Sequence, residues 1–291
     1  MSMTLPQLET IIQQAGGGAF ALDYANDLLI KVNNVASHQV PAGYLTQFSQ
    51  SRNAGDLRGR LLEINLVNYF ATQNVPLSYE VKQGATSGDV DLLWKTSGAD
   101  VFIEVKLLGQ DQATTQKINE QLMEYGASVS HVDDDTSDVM RLQYTIIDKA
   151  TLKKFEHPPV KNAINLIAID VSELQLGNVD AADCVLATLG SARAKDYFGD
   201  ACARDHVFGL FELKHESNHA EWVERINAKL AGKPHPRNYI HGVIFLFREP
   251  KELAALSYDL KACIAWNTNL IPDALANAIN GEFIKIIPCE W

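Results

Sequence analysis

Several signatures that would assign a chain to a familiar class are missing from these 291 residues. The four cysteines, at positions 184, 202, 263 and 289, have no C-x-x-C spacing, which argues against a zinc knuckle or a disulfide framework. There is no H-E-x-x-H pattern, and the three glycines at 16–18 lack the Lys-Ser/Thr that completes a phosphate-binding loop. No apolar run approaches the ~18 residues of a membrane helix, and no basic region with a following apolar segment opens the chain. We therefore expect a soluble, cytoplasmic protein.

Positive charge is also scarce in this chain. It carries 25 Lys and Arg against 36 Asp and Glu, a net charge of −11. A protein of that charge binds nucleic acid only if it gathers its cations locally or borrows them from a partner. Two local clusters exist, one with Arg52, Arg58 and Arg60 and one with Lys149, Lys153, Lys154 and Lys161. Each cluster is more often a solvated face than a phosphate track.

The segment SGDVDLLWKTSGADVFIEVKL at 87–107 predicts a β-hairpin. Apolar residues surround Asp91, and the sequence TSGA after Lys95 has loop character. Strands are therefore expected over about 88–95 and 100–108. Pairing Lys95 with Asp100 across this loop places Asp91 directly opposite Glu104.

The paired strands would gather charge on one face of the hairpin. Side chains alternate in direction along a strand, so Glu104 and Lys106 share a face, and Asp89 lies opposite Lys106. Opposed carboxylates destabilise a strand pair, which calls for a compensating cation between Asp91 and Glu104. Oxygen ligands with no nearby Cys or His suit Mg²⁺ or Mn²⁺. Lys106 would orient a water or stabilise charge on a phosphate, while Asp89 either serves as a second candidate ligand, holds the preceding loop or pairs with Lys106.

A helix is predicted just before the hairpin, over residues 56–73. Its periodicity places Glu63 within an apolar face, and buried glutamates are rare unless they are paired or bind a metal. Glu63 is therefore a candidate metal ligand or a support for one. The alternative is a buried salt bridge between Glu63 and either Arg60 or Lys106.

These residues resemble a known motif. The sequences GDVDLL at 88–93 and VFIEVK at 101–106 are similar to the core motif of the PD-(D/E)XK, or restriction-endonuclease-like, nuclease superfamily. The motif's Asp corresponds to Asp91, or second to Asp89, and its E-x-K to Glu104 and Lys106. The proline of the family name is absent. The resemblance covers about twenty of the 291 residues.

The resemblance implies a fold, a reaction and a ligand set. The fold is α/β, with a mixed central sheet flanked by helices, and the reaction is Mg²⁺-dependent phosphodiester cleavage. Asp91, Glu104 and the Val105 carbonyl would bind the metal, and Glu63 matches a glutamate that family members often carry on the preceding helix. Lys106 would orient the attacking water.

The rest of the chain is organised around this core. Residues 1–50 are expected to be an N-terminal helical extension, 51–160 the nuclease core, and 161–291 an α/β extension that continues the sheet or forms a separate domain. Further strands are predicted at 77–83, 164–171, 239–247 and 260–266, and further helices at 112–127, 219–231 and 272–280. The segment 138–156 is either one helix or a strand followed by a helix. Gln116 and Gln121 on the helix over 112–127 either reach the site or are surface residues.

Together these features predict a Mg²⁺- or Mn²⁺-dependent DNA endonuclease of the restriction or defence type. Arg52, Arg58 and Arg60 would supply the DNA contacts, since they lie nearest in sequence to the proposed site. The alternative is a catalytically silent module with the same fold that serves as a binding or assembly subunit of a larger complex. The sequence leaves open DNA or RNA as the substrate, and a homodimer or a partner subunit as the assembly.

Overall fold

The computed structural model describes residues 3–14, 25–38, 42–109, 120, 134–172, 179–250 and 258–289. Its α-helices are α1 (Leu5–Gln14), α2 (Ala25–Ser37), α3 (Ala42–Ser49), α4 (Ala54–Thr72), α5 (Asp134–Ala150), α6 (Ala181–Leu189), α7 (Ser191–Phe198), α8 (Ala220–Leu230) and α9 (Asp273–Phe283). Of the predicted helix over 112–127, residue 120 alone is described, as helix, and Gln116 and Gln121 lie outside the described residues. No helix in the described ranges is both long enough and apolar enough to cross a membrane.

Six strands form one sheet in chain order. They are β1 (Leu77–Lys82), β2 (Asp89–Lys95), β3 (Asp100–Leu107), β4 (Ala163–Asp170), β5 (Gly242–Pro250) and β6 (Tyr258–Trp266). Strands β3, β4 and β5 are parallel, and the other neighbours are antiparallel. The predicted α/β class with a mixed sheet flanked by helices is confirmed. The sheet takes strands from both sides of residue 160.

The centre of the sheet explains its apolar sequence. Every residue of β4 is buried, as a parallel strand covered on both faces requires. Alternate side chains go to opposite layers, so that Leu166 and Ala168 join one hydrophobic cluster while Ile167 and Ile169 join the other.

Helices cover the two faces of the sheet. Helices α1, α2, α4 and α9 contribute to the first cluster, where the Trp94 ring lies 5.6 Å from Phe70 and 6.2 Å from Phe283. Helices α5, α6 and α8 contribute to the second cluster. The first face therefore carries the helix predicted to hold Glu63, and the second face carries α5, which belongs to the β3 to β4 crossover.

The ambiguous segment 138–156 is the greater part of α5 followed by a loop. This loop, residues 151–162, returns the chain to the start of β4. The buried Gln83 side chain, just after β1, connects this loop to the sheet. It accepts a hydrogen bond from the Glu156 N–H at 2.7 Å and donates one to Asn165 of β4 at 2.6 Å. The loop therefore stays close to the β1–β2 end of the sheet.

Candidate active site

The β2–β3 hairpin has the predicted register, from Lys95 opposite Asp100 to Leu92 opposite Ile103. The ladder stops there, and Asp91 is the next residue along β2. Its Oδ2 accepts a hydrogen bond from the Val105 N–H at 2.8 Å. A side chain thus takes over the role of a backbone partner at the point where the strands separate.

The neighbouring strand is also interrupted beside Asp91. Strands β1 and β2 pair at Tyr79–Leu92 and at Val81–Val90, but not at the intervening Glu80. Glu80 has φ of 49°, a left-handed conformation that costs a residue with a Cβ about 1–2 kcal/mol. Asp91 therefore lies between two gaps in the sheet, and such strain is typical of functional sites.

Glu104 lies beside this gap and is fully buried. Two lysines contact its carboxylate: Lys149 Nζ at 2.6 Å from Oε1, and Lys154 Nζ at 2.6 Å from Oε1 and 2.8 Å from Oε2. Lys154 also lies 3.2 Å from Asp91 Oδ1. The repulsion between the two carboxylates is thus balanced by lysines from the last turn of α5 and from the loop after it.

Lys106, which the motif identifies as the lysine of the site, is exposed. Among the described residues no ion pair joins it to Glu104 or Asp91. The predicted pairing of Asp89 with Lys106 is wrong, because the ladder between β2 and β3 does not reach these residues once the strands separate. Asp89 instead lies opposite Lys82 of β1 and is exposed.

Glu63 approaches the site from the opposite helical layer. It is mostly buried on α4, and Arg60 Nη1 lies 3.2 Å from its Oε2, so the predicted pair with Arg60 is present. Burial raises the pKa of Glu63 to about 7, with the charge of Asp91 adding to the shift and Arg60 opposing it. Glu63 is therefore electrostatically coupled to Asp91. Arg52 and Arg58, the other members of the arginine cluster, are exposed near the start of α4.

The buried charges perturb one another. Burial and the charge of Asp91 raise the pKa of Glu104, while Lys149 and Lys154 oppose that shift. Burial alone would lower the pKa of Lys154, but its hydrogen bond to Glu104 and the charges of both carboxylates raise it. Lys154 is therefore held as a cation in contact with two acidic groups. Strongly perturbed groups in contact with one another are a mark of candidate functional sites.

The oxygen atoms at the gap suit a hard divalent cation in type. Asp91 and Glu104 supply carboxylate oxygens, and the Val105 carbonyl faces the same sheet edge as its N–H, toward Asp91. Within the described residues no group of three or more carboxylates, histidines or cysteines is arranged around one metal position. Asp91, Glu104 and the Val105 carbonyl remain the candidate ligands at the gap, and Glu63 is paired with Arg60.

Lys149 and Lys154 are the site residues that sequence reasoning missed. Their signal was the basic cluster at 149–161, which the sequence alone suggests to be a solvated face or a phosphate track.

Comparisons of the chain with protein-family models, with curated proteins and with solved structures found no match. The functional argument therefore rests on the residues and geometry of this chain.

Glu63→Gln is expected to stabilise the metal-free protein at pH 8 and to have little effect near pH 4. The folded state raises the pKa of Glu63 from 4.5 to about 7, so it favours the protonated form. The stability that this proton contributes is present below the unfolded pKa and is lost as the pH rises through about 7. Glutamine removes that loss of unfolding free energy, which is about 3 kcal/mol at pH 8 for a shift of this size.

Urea denaturation in chelator at several pH values measures this difference. Glu224→Gln, an exposed carboxylate on α8, is the control and should show no such trend. An equal change for Glu63→Gln at pH 4 and pH 8 would contradict the raised pKa.

Proposed function

We propose that the protein is a metal-dependent nuclease with a restriction-endonuclease-like core. The observation that carries the proposal is the buried Glu104 beside Asp91, at the point where strands β2 and β3 separate. The supporting features are the motif sequence, the gap beside Glu80 and the perturbed pKa of Glu63 and Glu104. A buried charged cluster costs desolvation free energy, and each buried charge must be paired to offset that cost. Such a cluster in a sheet therefore suggests a function.

In the proposed reaction, Asp91, Glu104 and the Val105 carbonyl hold Mg²⁺ or Mn²⁺. The bound ion would polarise the scissile phosphate and lower the pKa of a bound water. Glu63 has a pKa of about 7, so it can exchange a proton near neutral pH and serve as a proton acceptor beside the ligands. In the metal-free protein, Lys149 and Lys154 offset the carboxylate charge in a partly buried environment.

A cleavage assay tests the proposal directly. Supercoiled plasmid, linear duplex DNA, single-stranded DNA and RNA would each be incubated with Mg²⁺, Mn²⁺ or excess chelator. We expect cleavage of at least one substrate that requires the metal and that Asp91→Asn abolishes. Asp89→Asn is the matched comparison, because Asp89 is exposed and lies outside the lysine contacts. Full activity in excess chelator would falsify the proposed mechanism.

Nucleic-acid binding should depend only weakly on salt. The chain has few local cations to contact phosphates, and Arg52, Arg58 and Arg60 are the cluster at the entry to α4. If some three phosphates are contacted, the slope of log affinity against log salt is about −3. Replacing Arg52 and Arg58 with alanine should flatten it by about two, because each phosphate contact contributes roughly 0.9 to the slope.

Fluorescence anisotropy at several salt concentrations measures this slope. Arg225→Ala, an exposed residue on α8, is the control for loss of positive charge elsewhere. If the arginine variants keep the full slope, the phosphate contacts lie on another surface. If the protein shows no affinity for any nucleic acid at low salt, the proposal of a free-standing nuclease fails.

One observation favours the second candidate, a catalytically silent binding or assembly subunit. Lys149 and Lys154 supply as many positive charges as Asp91 and Glu104 supply negative ones, so the cluster is balanced without a metal. Such a cluster can be purely structural. Isothermal titration with Mn²⁺ separates the candidates, because a silent module would show no site-specific binding that Asp91→Asn removes.

A further inference from the structure

The position of Lys154 carries an inference that deepens the proposed function and rests on it. Its ammonium touches three carboxylate oxygens, one of Asp91 and both of Glu104, at 2.6 to 3.2 Å. It therefore lies between the two groups proposed to bind the metal. Lys149 differs, because it contacts Glu104 through Oε1 alone.

A divalent ion and the Lys154 ammonium cannot both occupy this position. Mg²⁺ binds oxygen ligands at about 2.0–2.1 Å, so an ion shared by Asp91 and Glu104 must lie close to the same three oxygens. Two cations that close together repel strongly in a partly buried site. The arrival of one therefore requires the departure of the other.

The local structure allows Lys154 to leave while its backbone stays in place. Lys154 belongs to the loop after α5, whereas Lys149 is held in the last turn of the helix. The loop backbone is fixed two residues further on by the contacts of Glu156 with Gln83 and with the Ala85 N–H. Departure of the ammonium would therefore require rotation of the Lys154 side chain rather than rearrangement of the loop.

Lys154 lies between two residues that line an open cleft, Lys153 and Phe155. A Cβ added to Gly88 would lie 3.0 Å from Lys154 Cγ, so the stem of the lysine passes directly over a glycine. The cleft has a volume of about 960 Å³, and residues 85–87 also line it. Glu156 is a further lining residue, and its carboxylate accepts a hydrogen bond from the Ala85 N–H.

We propose that Lys154 is a displaceable internal cation. It holds Asp91 and Glu104 together in the metal-free protein and must leave both carboxylates before a divalent ion binds. Lys154 thereby sets the metal concentration at which the site is filled. It is a regulatory and positioning residue, distinct from Lys106, which is exposed on β3.

Amine labelling of the wild-type protein tests the displacement itself. The protein would be treated briefly with an acylating reagent with and without Mn²⁺, and each lysine would be quantified by mass spectrometry. We expect Lys154 to react slowly without metal and several-fold faster with it. Lys153, its exposed neighbour, is the internal control and should react equally in both states.

Metal titration of variants tests the competition. Lys154→Met should bind Mn²⁺ about tenfold more tightly than the wild type, corresponding to about 1.4 kcal/mol. Lys153→Met makes the same charge change one residue away and should leave the affinity almost unchanged. Lys154→Arg keeps the positive charge, and it should bind metal no more tightly than the wild type. A gain in affinity for the methionine variant alone would therefore come from the loss of the charge and not from replacement of the side chain.

The outcomes separate the inference from the proposed function. If the wild type binds Mn²⁺ but the labelling of Lys154 does not change and Lys154→Met binds with the same affinity, the displacement is refuted while the nuclease proposal stands. If neither the wild type nor Lys154→Met binds Mn²⁺ or Mg²⁺, the proposed function fails, and this inference fails with it.

Discussion

Glu104→Gln is expected to lower metal-dependent cleavage by about a thousandfold, equivalent to about 4 kcal/mol of transition-state stabilisation. Glutamine keeps the shape of the side chain but removes the negative charge from the most buried member of the proposed ligand set. A neutral amide binds a hard divalent ion more weakly than a carboxylate does, so the metal site should be lost at ordinary metal concentrations. Single-turnover cleavage with increasing Mg²⁺ measures both effects.

The control for this variant is Glu282→Gln on α9. Glu282 accepts hydrogen bonds from Ser97 at the tip of the β2–β3 hairpin, so it contacts the same hairpin at the end away from the site. We expect its activity to stay within a few-fold of the wild type. Glu104→Gln with activity near that of the wild type would remove Glu104 from the mechanism and leave it a structural role.

The second large effect concerns both lysines together. The double substitution of Lys149→Met and Lys154→Met should lower the free energy of unfolding in chelator at pH 8 by about 3–5 kcal/mol. Glu104 is fully buried, and this variant leaves its carboxylate without either counter-charge. The melting temperature should fall by about 10 °C.

The pH dependence of this loss follows from Glu104. Burial and Asp91 already raise the pKa of Glu104, and removal of the lysines that oppose the shift raises it further. A raised carboxyl pKa means that stability is recovered as the pH falls and the group is protonated, so the difference from the wild type should shrink in acid. Saturating Mn²⁺ should also restore stability, because the ion replaces both charges.

Two comparisons identify the source of the double-lysine effect. Removing two exposed lysines, Lys153 and Lys161, changes the net charge equally and should have little effect on stability. In a Glu104→Gln background the loss from the double substitution should largely disappear, as a double-mutant cycle would show. A loss of equal size in that background would mean that the lysines stabilise the fold independently of Glu104.

The hairpin illustrates what local sequence can predict. The alternation of side chains and a four-residue loop were sufficient to place Lys95 opposite Asp100, and every observed pair of β2 and β3 follows that register. The apolar run at 164–171 likewise predicted the buried centre of the sheet. In both cases the information lies within a few neighbouring residues, where the strand period applies.

The lysines show where such reasoning stops. The expected pairing of Asp89 with Lys106 assumed that the β2–β3 ladder continues past Asp91. The ladder instead ends where Asp91 contacts Val105, and the left-handed Glu80 interrupts the β1–β2 ladder beside it. Neither feature has a local sequence signal. Lys149 and Lys154 reach Glu104 across 45 and 50 residues, and only the closed β3–α5–β4 crossover brings them there.

The helix that carries Glu63 shows a similar limit. A helical projection of residues 56–73 puts Asn65 on the side opposite the apolar arc, but the residue is almost fully buried, and its Nδ2 donates to the Leu61 carbonyl at 2.9 Å. A helix packed by neighbours on several sides has no simple polar face. The burial of single polar residues therefore depends on tertiary partners that a helical projection does not include.

The long sequence separation of the lysine contacts has a consequence for the order of folding. The contact between Asp91 and Val105 spans 14 residues, whereas Lys154 must meet Asp91 across 63. Long loops close later than hairpins, because more chain entropy must be lost before the contact forms. The two carboxylates should therefore meet before their lysines arrive, and a divalent ion present during refolding would neutralise this early pair and speed the step that follows.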